Sequence, residues 1–125
     1  MKLTERDERR LVGLHPDLVR VIRRVAVSTT VPFAVVEGMR TVETQRAYVA
    51  KGASKTMKSR HLTGHAIDIA PLLDGAISWK WPLFYKLAPI VKAAAAAEGV
   101  PLEWGGDWRS FKDGPHWQLP WEQYP

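Results

Sequence analysis

Apolar residues recur along the 125-residue chain with two different periods, and the switches between them mark the elements. Leu18, Val21, Ile22 and Val25 fall at helical spacing and give one apolar face. His15-Pro16-Asp17 stands ahead of them, with Pro16 near the first-turn position where its missing N–H costs nothing. A shorter helix precedes this one, capped by Thr4 and running to about Leu11. VPFAVV, from Val31 to Val36, is a β-rich run that predicts a buried strand. After Gly38, Thr41 can cap a third helix, TVETQRAYVAKG, that stops at Gly52.

Residues 53–60 (ASKTMKSR) are polar and read as a loop. HAIDIA then alternates, with Ile67 and Ile69 on one face and Ala66 and Asp68 on the other, which is strand periodicity. A turn at Asp74-Gly75 leads to the longest helix, residues 82–98, closed by Gly99 and Pro101. Pro89 inside it should bend or interrupt it. Leu102 to Trp104 and Pro115 to Leu119 read as short strands, with bends at Gly105-Gly106 and Gly114-Pro115. The order α-α-β-α-β-α-β-β with a hairpin-like end predicts a small α+β domain, a mainly antiparallel sheet flanked by helices. No repeat or linker divides the chain, so residues 1–125 are expected to form a single domain.

Composition narrows the chemistry. The chain has no cysteine, which excludes disulfides, thiolate metal sites and a cysteine nucleophile. Any metal must be held by histidine and carboxylate. No stretch approaches the roughly 18 apolar residues of a membrane span, so stable insertion is not expected. The N-terminus, MKLTERDERR, lacks the apolar core of a secretory signal. A role outside the cytoplasm therefore needs another route of release. The net charge of +5 favours polyanionic partners, but the cations are spread over Arg6, Arg9, Arg10, Arg20, Arg23, Arg24, Lys51, Lys55, Lys58 and Arg60. Solvated helix faces account for most of them, and no nucleic-acid-binding motif accompanies them.

Residues 59–68, SRHLTGHAID, hold the candidate chemistry. A helical His61/His65 pair would need a glutamate directly after the first histidine; Leu62, Thr63 and Gly64 are poor helix material. The strand period puts His65 on the isoleucine face, where it is structural. His61 at the end of the loop and Asp68 on the open strand face are the better pair, brought together by a turn at Thr63-Gly64. His15 and His116 remain as a third ligand. His15 begins a helix, where it caps or faces solvent, whereas His116 shares a strand face with Gln118, so His116 is chosen. Two histidines and one carboxylate leave a fourth tetrahedral position open, the pattern of catalytic zinc. Asp113, three residues before His116 across a Gly-Pro bend, is placed for a general base.

Three blocks then carry a resemblance. SRHLTGHAID matches the signature S-x-H-x-x-G-x-A-x-D of the zinc D-alanyl-D-alanine carboxypeptidase and L-alanyl-D-glutamate endopeptidase family. EWGGDWRSFKDGPHWQL resembles its second block, W-G-G-D-W…D-x-P-H-x-Q, and GMRTVETQ its G-x-R-T…Q stretch. In order, they span Gly38 to Leu119. The WGGDW form is most similar to phage endolysins cutting the L-Ala–D-Glu bond of peptidoglycan. D-Ala–D-Ala enzymes of the family more often carry Glu at the position of Asp113.

The resemblance implies zinc bound by His61, Asp68 and His116, with Asp113 as catalytic base. It implies that Arg40 contacts substrate or the developing oxyanion. An exposed arginine at a helix start, where its charge opposes the dipole, is the structural alternative. Ser59 matches the family serine and can hydrogen-bond a substrate carbonyl, or be an ordinary loop serine. Trp104 and Trp108 can wall a peptide groove or cap the core, and Asp107, Glu103 and Glu37 are rival carboxylates. Gln45 is expected to support the loop around the site.

The expected activity is a zinc endopeptidase of stem peptides, acting as an endolysin. A D-alanyl-D-alanine carboxypeptidase or dipeptidase with the same zinc site is the nearest rival, and a non-catalytic wall-binding module is a rival of another class. The matching blocks fill the chain, so one catalytic domain over residues 1–125 is expected without a separate wall-binding domain, and a monomer is the default for a chain of this kind. The resemblance further implies synthesis in the host bacterial cytoplasm without a signal peptide, then release to periplasm and cell wall through a holin.

Overall fold

The computed structural model describes residues 1–125. Its elements are α1 (Glu5–Leu11), α2 (Pro16–Ser28), β1 (Phe33–Glu37), α3 (Val42–Ala50), β2 (Ala66–Leu73), β3 (Ala76–Ile77), α4 (Trp81–Glu98), β4 (Glu103–Trp104) and β5 (His116–Gln118). Single 3-10 turns occupy Arg60–Thr63 and Gly105–Asp107. Local chemistry starts the first three helices where the pattern places them. Thr4 and Asp7 form a reciprocal capping box on α1, and Thr41 accepts from the Thr44 N–H on α3. Pro16 opens α2, and His15 Nδ1 accepts the Asp17 N–H at 3.0 Å, so His15 is a cap.

Two elements differ from the pattern. α4 runs through Pro89 without interruption. Pro89 and Tyr85, whose carbonyl loses its helical donor, both lie on the exposed face, where water can satisfy that carbonyl. The turn at Asp74-Gly75 is followed by a short return strand, β3. Both turn residues have positive φ, 52° and 81°, which is the hairpin geometry that matches strand twist.

The sheet has the order β1-β2-β5-β4, with β3 on the far end of β2, and every pairing is antiparallel. It is the antiparallel α+β domain that the periodicities predict. α2 and α4 pack together and contribute Leu18, Val21, Ile22, Phe84, Leu87 and Val91 to one core. The sheet adds Phe33, Val35, Ile67, Ile69 and Trp117. Alternation along β2 therefore buries Ile67 and Ile69 completely and presents Asp68 on the opposite face. Along β5 it buries Trp117 and turns His116 and Gln118 to the same side as Asp68.

The free edge of β1 is covered by α1. Buried Asp7 accepts the Val35 N–H at 2.9 Å while holding the Thr4 N–H with its other oxygen, and Arg10 donates to the Val35 carbonyl at 2.8 Å. One carboxylate thus caps a helix and docks that helix on a sheet edge. Asp7→Ala orphans two backbone N–H groups, one of them buried, and should lower stability by roughly 2–4 kcal/mol. Urea denaturation checks this. Asp7→Asn, which keeps only one accepting oxygen, should fall between the two.

Candidate metal centre

His61 reaches the site from a single 3-10 turn rather than from a loop end. Ser59 Oγ caps that turn by accepting the His61 N–H at 3.2 Å, and Gly64 ends it in the left-handed region at φ 76°. The His61 ring is buried, and its Nδ1–H donates to the Gly38 carbonyl at 2.8 Å. A carbonyl can only accept, so the proton sits on Nδ1 and the lone pair on Nε2. That Nε2 is buried with no hydrogen-bond partner. The Gly38 carbonyl is aimed there by a bulge in β1, where the register slips between Val35 and Glu37.

Asp68 and His116 face each other directly across the β2–β5 pair. His116 Nδ1 lies 3.2 Å from Asp68 Oδ1, and His61 Nε2 lies 3.3 Å from the same oxygen. The second ring nitrogen of His116 donates to Gln118 Oε1 at 2.8 Å. Gln118 is oriented in turn, since its amide nitrogen donates to Glu103 Oε2 at 3.3 Å. The two imidazoles thus present opposite nitrogens to one centre, each with its far N–H given to a carbonyl oxygen. This is how protein metal ligands are usually oriented.

The cluster fits a small divalent cation. Metal–ligand bonds of about 2.0–2.1 Å at tetrahedral angles separate ligand atoms by about 3.3 Å. Both edges through Asp68 have that length, and the three donor atoms lie within 4.8 Å of one another. The orphaned Nε2 of His61 is a second indication, because a buried acceptor without a donor is costly unless something electrophilic faces it. Burial would raise the Asp68 carboxyl, but the His116 and His61 imidazoles that face it outweigh burial and hold it well below the usual range. Burial opposes the His116 imidazolium, but the hydrogen bond and charge of Asp68 raise it overall. An anion fixed between two imidazoles is a site for positive charge.

Around the cluster lies a groove of about 380 Å³, lined by residues of the 53–60 segment on one side and of the 108–121 segment on the other. A larger cleft of about 740 Å³ lies at α1 among Lys2, Arg6, Arg10 and Ile77 and contains none of the cluster. Asp113 lines the groove, placed by its N–H donating to the Gly105 carbonyl at 3.1 Å and its carbonyl accepting the His116 N–H at 3.2 Å. A Cβ on Gly105 would come within 2.4 Å of that Asp113 carbonyl, so only glycine permits the approach. Burial and then the charge of Asp68 raise the Asp113 carboxyl, partly offset by His116, His61 and Arg40.

Arg40 is not the exposed arginine of the structural alternative. Its side chain is 10% exposed and bound to Glu37 through Nε and Nη2, with Nη1 donating to Gln45 Oε1 at 2.7 Å. Gln45 is buried and also donates to Ser54 Oγ and the Thr56 carbonyl, so it supports the loop as expected. Ser59 lines the groove beside Arg40 and is at the same time the cap of the His61 turn.

The two tryptophans separate. Trp108 lines the groove, its ring 5.2 Å from that of His116. Trp104 does not: it is buried, stacks on Trp117 at 5.7 Å, and donates its indole N–H to the Gly114 carbonyl. The expectation of Trp104 as a groove wall is therefore corrected, because strand alternation in β4 turns it into the core. Asp107 is exposed and paired with Lys92 at 2.7 Å, and Glu37 is taken up by Arg40. His65 stays outside the cluster, but it is half-buried beside His15 and Tyr124 rather than in the core. β2 begins only at Ala66, after the left-handed Gly64, so its alternation does not extend to His65.

Comparison with known proteins accords with this geometry. The model of the phage L-alanyl-D-glutamate peptidase family matches residues 1–118. The chain belongs to that family. It is 33% identical over 116 residues to the L-alanyl-D-glutamate peptidase of Escherichia phage T5, covering 90% of this chain and 85% of that one. It is 37% identical over 97 residues to the L-alanyl-D-glutamate peptidase of Listeria phage A118, covering 78% of this chain but only 34% of the longer protein. The crystal structure of Serratia marcescens L-Ala D-Glu endopeptidase ChiX superposes with a TM-score of 0.94 at 47% identity, covering 100% of this chain and 94% of that one. The vancomycin-resistance D,D-dipeptidase VanXYg shares the fold at 15% identity, with a TM-score of 0.53 over 85% of this chain and 50% of its own.

Gln118 is the site residue that sequence reasoning left without a role, although its spacing from His116 on one strand face carried the signal. Gln118→Leu keeps the volume but removes the acceptor that holds the His116 proton on Nε2. Zinc affinity, measured by competition with a chelating dye, should fall by about 10–100-fold while the fold persists by circular dichroism.

Proposed function

We propose that this peptidase hydrolyses the L-Ala–D-Glu bond of peptidoglycan stem peptides, using zinc held by His61, Asp68 and His116. The observation that carries the reading is the convergence of the unpartnered His61 Nε2 with Asp68 and His116 beside Asp113, in a chain of this family. Zinc there would supply a Lewis acid that polarises the scissile carbonyl and acidifies water. Asp113 takes the proton of the attacking water and passes it to the departing amine of D-Glu. Its raised pKa suits both halves of that task, since a carboxylate too weakly basic could not carry the proton.

Arg40 acts on the carbonyl side. Glu37 and Gln45 hold its guanidinium rigid by taking three of its five N–H donors, Nη1 also approaches Ser59 Oγ at 3.5 Å, and the residue lines the groove. Donors already oriented cost no reorganisation as charge develops on the carbonyl oxygen. Ser59 and Trp108 contact the peptide from opposite sides of the groove. Residues 1–125 act as one catalytic unit, a reading supported by the single core and the family match over residues 1–118.

The biological reading is phage-type lysis by a monomer made in the host cytoplasm. Delivery to the wall is assigned to a separate permeabilising protein of the holin class, and no helix of the chain itself is long and apolar enough to cross a membrane. Induction in a bacterial host should leave the culture turbid without a holin and clear it with one. Clearing that requires no partner would sink that part.

Mass spectrometry of purified sacculi digested by the zinc-loaded protein tests the reaction. Peptides released with free D-glutamyl amino termini are the expected product, whereas release of terminal D-alanine alone would move the cut to the carboxypeptidase branch. Asp113→Ala should reduce turnover by about 10²–10⁴-fold with zinc content unchanged. The pH profile has a definite sign. The base works ionised and its pKa is raised, so kcat/KM should fall on acidification at a pH above the roughly 3.9 of a free aspartate. An acid limb at or below that value would exclude Asp113 as the base.

A further inference from the structure

Three aromatics, two of them exposed, lie in or beside the groove, and they are held differently. Trp108 packs against the His116 ring and is half-buried. Phe111 is 67% exposed, and its ring is occupied by the Lys55 ammonium at 3.8 Å. Trp121 is 51% exposed and lines the same groove as His61, Asp68 and His116. One face of its indole is covered by the Arg60 guanidinium, 3.9 Å from the ring centroid.

Arg60 is itself buried and anchored. Its Nε and Nη2 donate to the Leu119 carbonyl at 3.3 and 3.0 Å, and Nη2 also donates to the Tyr124 carbonyl. A guanidinium fixed in this way fixes the plane of the ring stacked on it. Trp121 therefore offers an ordered, half-exposed indole at the groove, with one face free of Arg60. Nothing in the peptide chemistry of the site uses that face. A rigid indole open to water loses little entropy when something flat is laid on it.

The chemistry of the substrate says what lies there. L-Ala is the first residue of the stem peptide, and its amino group is amide-linked to the lactyl group of the muramyl sugar. The cut bond is thus one residue from the glycan, and a residue spans only about 3.3–3.6 Å. A groove that closes around that bond has the sugar at its rim. A pyranose ring presents a face of C–H groups that can be laid flat on an aromatic ring and taken out of water.

We propose that Trp121, backed by Arg60, is a stacking platform for the muramyl sugar that carries the stem peptide. The platform distinguishes glycan-linked peptide from free peptide. It rests on the reading of the site as an L-Ala–D-Glu endopeptidase, and the test separates the two.

The experiment compares a disaccharide-tetrapeptide with the same tetrapeptide lacking the sugar. For Trp121→Ala, KM on the disaccharide-peptide should rise about tenfold. Kinetics on the free tetrapeptide should stay within about twofold of the parent. Trp121→Phe, which keeps a ring over Arg60, should recover most of the difference. Saturation-transfer NMR on Asp113→Asn, which stops turnover and leaves Trp121 in place, should show transfer from aromatic protons to sugar C–H protons. An equal loss on both substrates, or transfer confined to the peptide, would overturn the platform and leave a structural role for Trp121. If the unmodified protein cleaves neither substrate between L-Ala and D-Glu, the endopeptidase reading fails first and the platform goes with it.

Discussion

The contact on which the site depends is the pairing of Asp68 with His116 across β2 and β5. Both residues are held by the requirement that their strand neighbours be buried. Ile67 and Ile69 flank Asp68, Trp117 follows His116, and all three apolar residues are inaccessible to solvent. A slip of one residue in either strand would put a carboxylate or an imidazole in the core and an isoleucine or an indole at the site. The hydrophobic effect therefore fixes the register of the polar pair with an energy that the polar pair could not supply. Desolvation of Asp68 is offset by two imidazoles, and the strong preference for its charged form follows from that enclosure.

His61 is held by a different device, and that difference explains what could be read from the sequence. Alternation in HAIDIA and in PHWQL placed Asp68, His116 and Gln118 correctly, because a period of two is a property of neighbouring residues. The caps at Thr4, Pro16 and Thr41 were legible for the same reason. The acceptor for His61 was not. It is the carbonyl of Gly38, brought there by a bulge in β1, and no local pattern announces which backbone oxygen a distant ring will meet. His65 illustrates the opposite error, in which a period was extended one residue past the point where the strand begins.

Trp104 and Trp108 show the same limit within five residues. Both sit in WGGDW, and composition alone makes either a groove wall or a core residue. The separation comes from β4, which pairs Trp104 with Trp117 and commits it to the core, while the 3-10 turn that follows rotates Trp108 to the groove. β3 and the unbroken α4 escaped for simpler reasons. A two-residue strand has too few positions to show a period, and a proline on a solvated helix face removes a hydrogen bond that water replaces.

The groove is therefore built from walls of unequal origin. On one side, buried Gln45 ties Arg40 to the 53–60 loop through Ser54 and Thr56, so a single amide positions both a cation and the backbone beside the His-Asp-His cluster. On the other, the Gly105–Asp113 contact sets the distance from the candidate base to His116. The contacts from Gly105 through Asp113 to His116 run through backbone atoms, and backbone atoms are displaced only at the expense of secondary structure. Burying the Arg60 guanidinium is expensive, and desolvation lowers its pKa. What offsets that expense is that one cation gathers the Leu119 and Tyr124 carbonyls and the Trp121 ring into a single unit at the end of β5. The strand that presents His116 thereby leads within three residues into the unit that holds the Trp121 ring at the groove.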